Sequence, residues 1–298
     1  MAKKNVMSDH ASLTEYKHQL AASFDIRVDY DDEYTVSRAT RLLELAELRS
    51  GDSVLDLATG TGIVAIDAAR AVGANGKVIG VDISSGMLDQ ARKKISAEGL
   101  RNVELIEADV EKFNFEPESF DVILCSSALM WMSDIPGTLR NCRKWLKTGG
   151  LLAFSCYSES SFTIPLYVRA CARFGIALPN CNEPLGTHER CRALLRDAGF
   201  DKIDIRTEQF GSYLDPNEVK WKWNGEPNWI DPRGNPLTGL SSEQLDEIRA
   251  AYESEIDALT TEQGFWHEIT MFLVSALRDD LSVFLAPQVA GSRNLPGM

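Results

Sequence analysis

Ser53-Val54-Leu55-Asp56-Leu57-Ala58-Thr59-Gly60-Thr61-Gly62, answered by Lys77-Val78-Ile79-Gly80-Val81-Asp82, decides the fold. Residues 54–57 and 77–81 are short apolar runs bounded by glycines and read as buried strands. Between them, residues 63–72 repeat their apolar positions at helical spacing until Gly73 and Gly76 break the pattern. Strand, glycine-rich turn, helix and strand in this order open a nucleotide-binding α/β domain. Downstream, Ser84 caps a helix over 86–98, and residues 103–106 and 120–125 are strands. A helix over 135–146 and a strand over 151–156 complete the alternation. This predicts a parallel sheet with both faces covered.

Upstream, residues 1–11 read as a polar, mobile tail. Leu13, Tyr16, Leu20 and Phe24 predict an amphipathic helix over 12–24, placed to cover a pocket or to pair with a second subunit. Tyr30-Asp31-Asp32-Glu33 puts acids at the start of a second helix that Gly51 ends. Beyond Cys156, helices over 162–174, 189–198 and 242–259 and strands over 202–210 and 269–277 are interrupted by Pro-, Asn-, Gly- and Trp-rich stretches. The expected organisation is a helical segment 1–50, a cofactor core 51–156 and a lid insertion 157–200. A core strand 201–210, an acceptor-binding insertion 211–266, a last core strand 267–285 and a disordered tail 286–298 follow.

Among 298 residues, 44% are hydrophobic and 25% charged, with a formal net charge of −13, the balance of a globular enzyme whose surface repels phosphate backbones. Nucleic acid is therefore not an expected partner. The six cysteines contain no Cys-x-x-Cys pair, which argues against structural zinc, and no metal site is expected. Without an apolar leader or a run long enough to span a bilayer, the chain reads as a reduced, cytoplasmic protein.

The glycine loop alone does not choose its cofactor. Gly60-Thr61-Gly62-Ile63-Val64-Ala65 satisfies the dinucleotide fingerprint formally. Asp56, however, would repel a pyrophosphate and suits a cationic ligand, favouring S-adenosylmethionine (SAM), with its ammonium and sulfonium, over NAD or FAD. Asp82, ending the second strand, is placed to accept both ribose hydroxyls, and Asp109, after the third, to accept from an adenine amino group.

These segments, with Ser119-Phe120-Asp121-Val122 and Trp145-Leu146-Lys147-Thr148-Gly149-Gly150, resemble the class I SAM-dependent methyltransferases. The likeness is greatest to the ubiquinone/menaquinone C-methyltransferases (UbiE type), whose N-terminal segment Phe24-Asp25 and Tyr30-Asp31 resemble, and covers about residues 24–156. It implies a Rossmann-like, seven-stranded α/β sheet whose last strand is antiparallel. By motif, Asp56, Ala58, Gly60, Thr61 and Gly62 line the methionine part, Asp82 and Ile83 the ribose and adenine, and Asp109-Val110 the adenine edge. Ser126 offers a carbonyl to the ammonium. Ala58 stands where many members have Gly, an exchange the UbiE-type pattern contains.

Methyl transfer needs alignment and exclusion of water, and a base only where the acceptor must lose a proton. Aromatic residues suggest an apolar acceptor pocket: Tyr30, Trp131, Tyr213, Trp229 and Trp266 are candidates, with Tyr16, Phe24, Trp221, Trp223 and Phe265 beside them. His188 and His267 are the candidate bases, with Tyr30 and Tyr157 behind them. The expected reaction is methylation of a carbon or oxygen on a small apolar acceptor, such as a quinone precursor or an isoprenoid, polyketide or indole-type compound. The alternatives are an NAD-dependent oxidoreductase, a non-catalytic SAM-binding protein, and methylation of a metalloid held by the lid cysteines.

Overall fold

In the computed structural model, which describes residues 6–27, 30–221 and 229–279, two helices precede an alternating core. They are α1 (Val6–Asp25) and α2 (Glu33–Ala46). The core runs β1 (Ser53–Leu57), α3 (Ile63–Val72), β2 (Lys77–Asp82), α4 (Ser85–Ala97), β3 (Val103–Glu107), β4 (Phe120–Ser126), α5 (Ile135–Trp145) and β5 (Leu146–Tyr157). Then come α6 (Ile164–Ala172), α7 (His188–Asp197), β6 (Asp201–Gln209), β7 (Ser212–Leu214), α8 (Pro216–Trp221), α9 (Ser242–Leu259), β8 (Phe265–His267) and β9 (Thr270–Leu277). The expected tail 286–298 and Trp223 lie outside the described residues, as does the start of the polar segment; α1 already begins at Val6.

The main sheet has seven strands in the order β3-β2-β1-β4-β5-β9-β6. The β1–β5 pairs are parallel, and β9 runs antiparallel to both β5 and β6. The strand order reverses between β1 and β4, and ligands of such sheets bind at the carboxyl ends beside that reversal. Val54, Leu55, Leu57, Val78, Val81, Ile123 and Leu124 are fully buried in this core, as strands covered on both faces require.

Residues 157–200, read above as one lid, divide between two clusters. Cys191 and Leu195 of α7 join the main core, while Leu166, Ala170 and Cys171 of α6 join a smaller one with Val219, Ile248, Tyr252, Ile256 and Phe265. Tyr167 stacks on Tyr252 at 4.2 Å within the second cluster. Ser241 and Gln244 form a reciprocal capping box that starts α9. Among the described residues no helix is long and apolar enough to cross a membrane.

Helix α1 lies across the edge of the sheet and docks through its C-terminus. The Asp25 carboxylate accepts from the Ser84 hydroxyl (2.6 Å) and the Gly86 amide (2.9 Å), capping α4 from outside. Gly86 permits this approach, because a Cβ there would lie 2.8 Å from the Asp25 carbonyl oxygen. Gly86→Ala is therefore expected to loosen α1: amide exchange across residues 16–25 should quicken about tenfold while the strands keep their protection. Unchanged exchange in α1 would refute this docking.

Candidate active site

A cleft of about 1100 Å³, its open mouth included, follows the carboxyl edge of the sheet. Its floor comes from the ends of β1, β2 and β4 and the loop after β3, and its roof from Lys17, Leu20 and Phe24 of α1 and Thr35, Arg38 and Ala39 of α2. Neighbouring strands stand about 4.8 Å apart, so the four steps from β3 to β5 span roughly 19 Å. The wall residues are thereby strung out in the order of their strands.

The glycine loop is held from within. Asp82 accepts from the Gly60 amide (2.7 Å) with one carboxylate oxygen and from the Ser84 amide (2.8 Å) with the other. Four lone-pair positions serve a carboxylate, so acceptor capacity remains on both oxygens. Burial pushes the Asp82 carboxyl up, against the pull of the Ser84 and Gly60 amides. Asp56 is only 1% exposed and accepts from the Thr59 hydroxyl at 2.6 Å. Gly80, level with Asp56 in the β1–β2 register, leaves the room Thr59 needs, since a Cβ there would lie 2.9 Å from its hydroxyl. Burial drives the Asp56 carboxyl up to about 7, with the Thr59 bond opposing and the neighbouring Asp82 adding to the rise. Asp56 and Thr59 both line the cleft.

This loop does not fit a pyrophosphate. The Gly60 amide is already bonded to a carboxylate and the Gly62 amide to the Thr59 carbonyl (2.9 Å). A dinucleotide would meet two acids where it needs donors. A ligand with hydroxyls, a positive charge and no phosphate fits these acceptors. Gly60 lines the cleft at φ +55° with nothing within 4 Å of a notional Cβ, so a ligand can lie against its bare backbone. Gly62 does not line the cleft; at φ +81° it starts α3 and lets that helix approach Ala91 of α4.

At the β3 end, Asp109, Val110 and Ala108 form the wall. Lys17 reaches down from α1 to Asp109 (3.4 Å) and Glu111. Glu111 also accepts from the Ser133 amide (3.1 Å) and the Asp134 amide (2.6 Å). Burial works against its charge, but Lys17 and these amides prevail and hold its carboxyl below the usual range. Tyr16 donates to the Trp131 carbonyl at 2.6 Å, closing the roof onto the loop after β4.

A family profile described as a methyltransferase domain matches residues 54–150. Aklanonic acid methyltransferase DauC of Streptomyces sp. (strain C5) is 34% identical over 156 residues, which are 51% of this chain and 71% of that protein. The ubiquinone/menaquinone biosynthesis C-methyltransferase UbiE of Francisella philomiragia is 31% identical over 208 residues, 63% of this chain and 83% of that one. The chain belongs to the class I SAM-dependent methyltransferases, of UbiE type. Its fold is that of the solved Bacillus subtilis YcgJ protein (TM-score 0.56, 17% identity, 82% of this chain and 99% of that one). SAM is accordingly its cofactor, and the dinucleotide and non-catalytic alternatives fall away.

The methyltransferase gathers Asp56, Ala58, Gly60, Thr61, Asp82, Ile83, Asp109, Val110 and Ser126 along one cleft, with Tyr30 and Trp131 also in its walls. It does not bring the other candidates there. Trp229 packs against the second cluster and donates to the Pro179 carbonyl (3.1 Å), because an aromatic-rich stretch can equally build a small core. Tyr213 (47% exposed) and Trp266 (38% exposed) meet edge to face at 5.1 Å across the antiparallel β7–β8 pair. His188, exposed at the start of α7, bonds Thr207 (2.8 Å) and rests on Phe272, so it has no access to the cleft. His267 is separated from the cleft by Phe162 (6.0 Å), which in turn packs on Tyr157 (4.8 Å). Cys156 and Cys191 do converge, with Sγ atoms 3.8 Å apart, but both are buried between β5 and α7 and line no cleft, which removes the basis for metalloid capture there.

Among the polar wall residues that the sequence reading does not single out are Lys17, Arg38 and Ser127, and Tyr157, named there only as a reserve base, joins them. Tyr157 accepts from Arg38 (2.7 Å) and from the Ser127 hydroxyl (3.1 Å) at the β5 end. Arg38 was legible in part, since Thr35, Arg38, Ala39 and Leu42 share one helix face.

Proposed function

We propose that the cofactor lies along the cleft with its adenine at Asp109-Val110, its ribose on Asp82 and Ile83, and its methionine part between residues 56–62 and the Ser126 carbonyl. The acceptor then occupies the β4–β5 end, beside Ser127, Tyr30, Arg38 and Tyr157. The order of strands carries this reading: Asp82, Gly60, Ser126 and Tyr157 succeed one another across β2, β1, β4 and β5. Bound there, SAM supplies an electrophilic methyl group on a sulfonium. The protein's part is to align the acceptor and to exclude water with the α1–α2 roof.

The two relatives are named for aklanonic acid and for ubiquinone/menaquinone biosynthesis. Together with the Phe24, Tyr30 and Tyr157 walls they support a small, largely apolar ring compound as acceptor, methylated on carbon or oxygen. Incubation with methyl-labelled SAM and a panel of hydroxylated anthraquinones and naphthoquinols, followed by mass spectrometry, tests it. A labelled monomethyl product is expected. Tight S-adenosylhomocysteine binding with no product from any ring compound would defeat the acceptor assignment.

A further inference from the structure

Two cations line the cleft, and the fold treats them differently. Lys17 is neutralised by Asp109 and Glu111. Among the described residues Arg38 has only neutral hydrogen-bond partners: its guanidinium donates to the Tyr34 carbonyl (3.2 Å), the Thr35 hydroxyl (3.2 Å) and the Tyr157 hydroxyl (2.7 Å). It also lies over the Tyr34 ring, 4.5 Å from the centroid. Among the described residues it forms no ion pair. Exposed Asp32 feels its charge but spends its carboxylate on the Thr35 amide (2.7 Å). These three bonds leave two of the five guanidinium N–H groups without a protein partner among the described residues.

The surroundings of Arg38 are rich in donors. Ser127 donates to Tyr157, and burial raises the Tyr30 phenol, keeping its proton in place as a donor. The carboxylates of the cleft wall, Asp56, Asp82 and Asp109, all belong to the β1–β3 side. No histidine is among the wall residues. A half-buried cation that forms no ion pair among the described residues is complementary to one kind of group, an oxygen that carries its own negative charge.

We propose that the acceptor presents an ionised oxygen, that of an enolate, a phenolate or a carboxylate, and that Arg38 binds it while Tyr157 orients the guanidinium. This rests on the placement of the acceptor at the β4–β5 end. Arg38 then lets the oxygen arrive or stay ionised without a protein base, which accounts for a cleft wall lacking histidine. A cation within about 4–6 Å stabilises such an anion by one or more pKa units.

The test uses three probes bound to the full-length protein saturated with S-adenosylhomocysteine: 4-nitrophenol, 1-naphthoate and the neutral 2-methoxynaphthalene. The expected result is that bound 4-nitrophenol, read from its visible absorbance, ionises about one pH unit lower than free, and that Arg38→Met abolishes this shift. Arg38→Lys should restore part of it, and 2-methoxynaphthalene should bind both variants and wild type alike. An about tenfold preference for 1-naphthoate over 2-methoxynaphthalene, lost in Arg38→Met, with no shift for 4-nitrophenol, assigns the oxygen to a carboxylate. Anions binding no better than 2-methoxynaphthalene, a preference that survives Arg38→Met, or no binding of any probe at millimolar concentration overturns the proposal. Calorimetry of S-adenosylhomocysteine on the same samples separates the two readings. Loss of that binding in wild type defeats the cofactor placement, whereas retained binding without anion preference defeats only the role of Arg38.

Discussion

Asp82→Ala is expected to raise the dissociation constant for S-adenosylhomocysteine by about a hundredfold or more. Two hydroxyl bonds to a carboxylate contribute about 1.5–3 kcal/mol each, and tenfold in affinity corresponds to about 1.4 kcal/mol. The substitution also frees the Gly60 and Ser84 amides, so the loop that faces the ligand loses its tether. Asp82→Asn should rescue little, because an amide oxygen satisfies one of the two N–H groups while its NH₂ opposes the other. Titration calorimetry beside thermal melting separates lost affinity from lost fold. An Asp82→Ala protein that melts normally and binds within fivefold of wild type would contradict the assignment.

Asp56→Asn is expected to stabilise the protein at pH 8 by about 1–3 kcal/mol while weakening cofactor binding roughly tenfold. The folded carboxyl titrates at about 7 rather than 3.8. Below about pH 4 both folded and unfolded chains hold the proton, and the contribution to stability is complete. From there to about pH 7 the unfolded chain ionises and the folded one does not, so stability falls as pH rises, and above that range the loss levels off. Three pKa units set a ceiling of about 4 kcal/mol, reduced by the poorer fit of an amide beside Thr59. Urea denaturation from pH 4 to 8 should show a shallower decline in the variant. Binding of a cationic ligand to wild type should also release a proton near pH 6.5, visible in buffers of different ionisation enthalpy. A variant whose stability falls with pH as steeply as wild type would mean that Asp56 is ionised throughout.

The centre of the cleft was legible because its signals are local. Asp56 lies near the end of β1 and Gly60 in the turn that follows it, and the ends of β2 and β3 follow from short apolar runs that stop at acids. The rest depends on contacts between distant residues. Lys17 meets Asp109 across 92 positions and Arg38 meets Tyr157 across 119, so nothing in their own neighbourhoods announces a shared wall. The aromatic stretch after Tyr213 misled for a physical reason. Residues that suit an acceptor pocket also suit a small apolar core, and Trp229 and Phe265 belong to the cluster under α9. The histidines misled because a residue type signals chemistry only where geometry admits substrate, and His188 lies instead on Phe272 and Thr207.

A crystal structure with S-adenosylhomocysteine bound tests the central claim most directly, since it shows the direction in which the ligand lies along the sheet edge. The expected result places both ribose hydroxyls on Asp82, the adenine against Asp109-Val110 and the sulfur facing Ser127, Arg38 and Tyr157. A ligand lying in the reverse direction, with its sulfur toward Lys17 and Asp109, would contradict it.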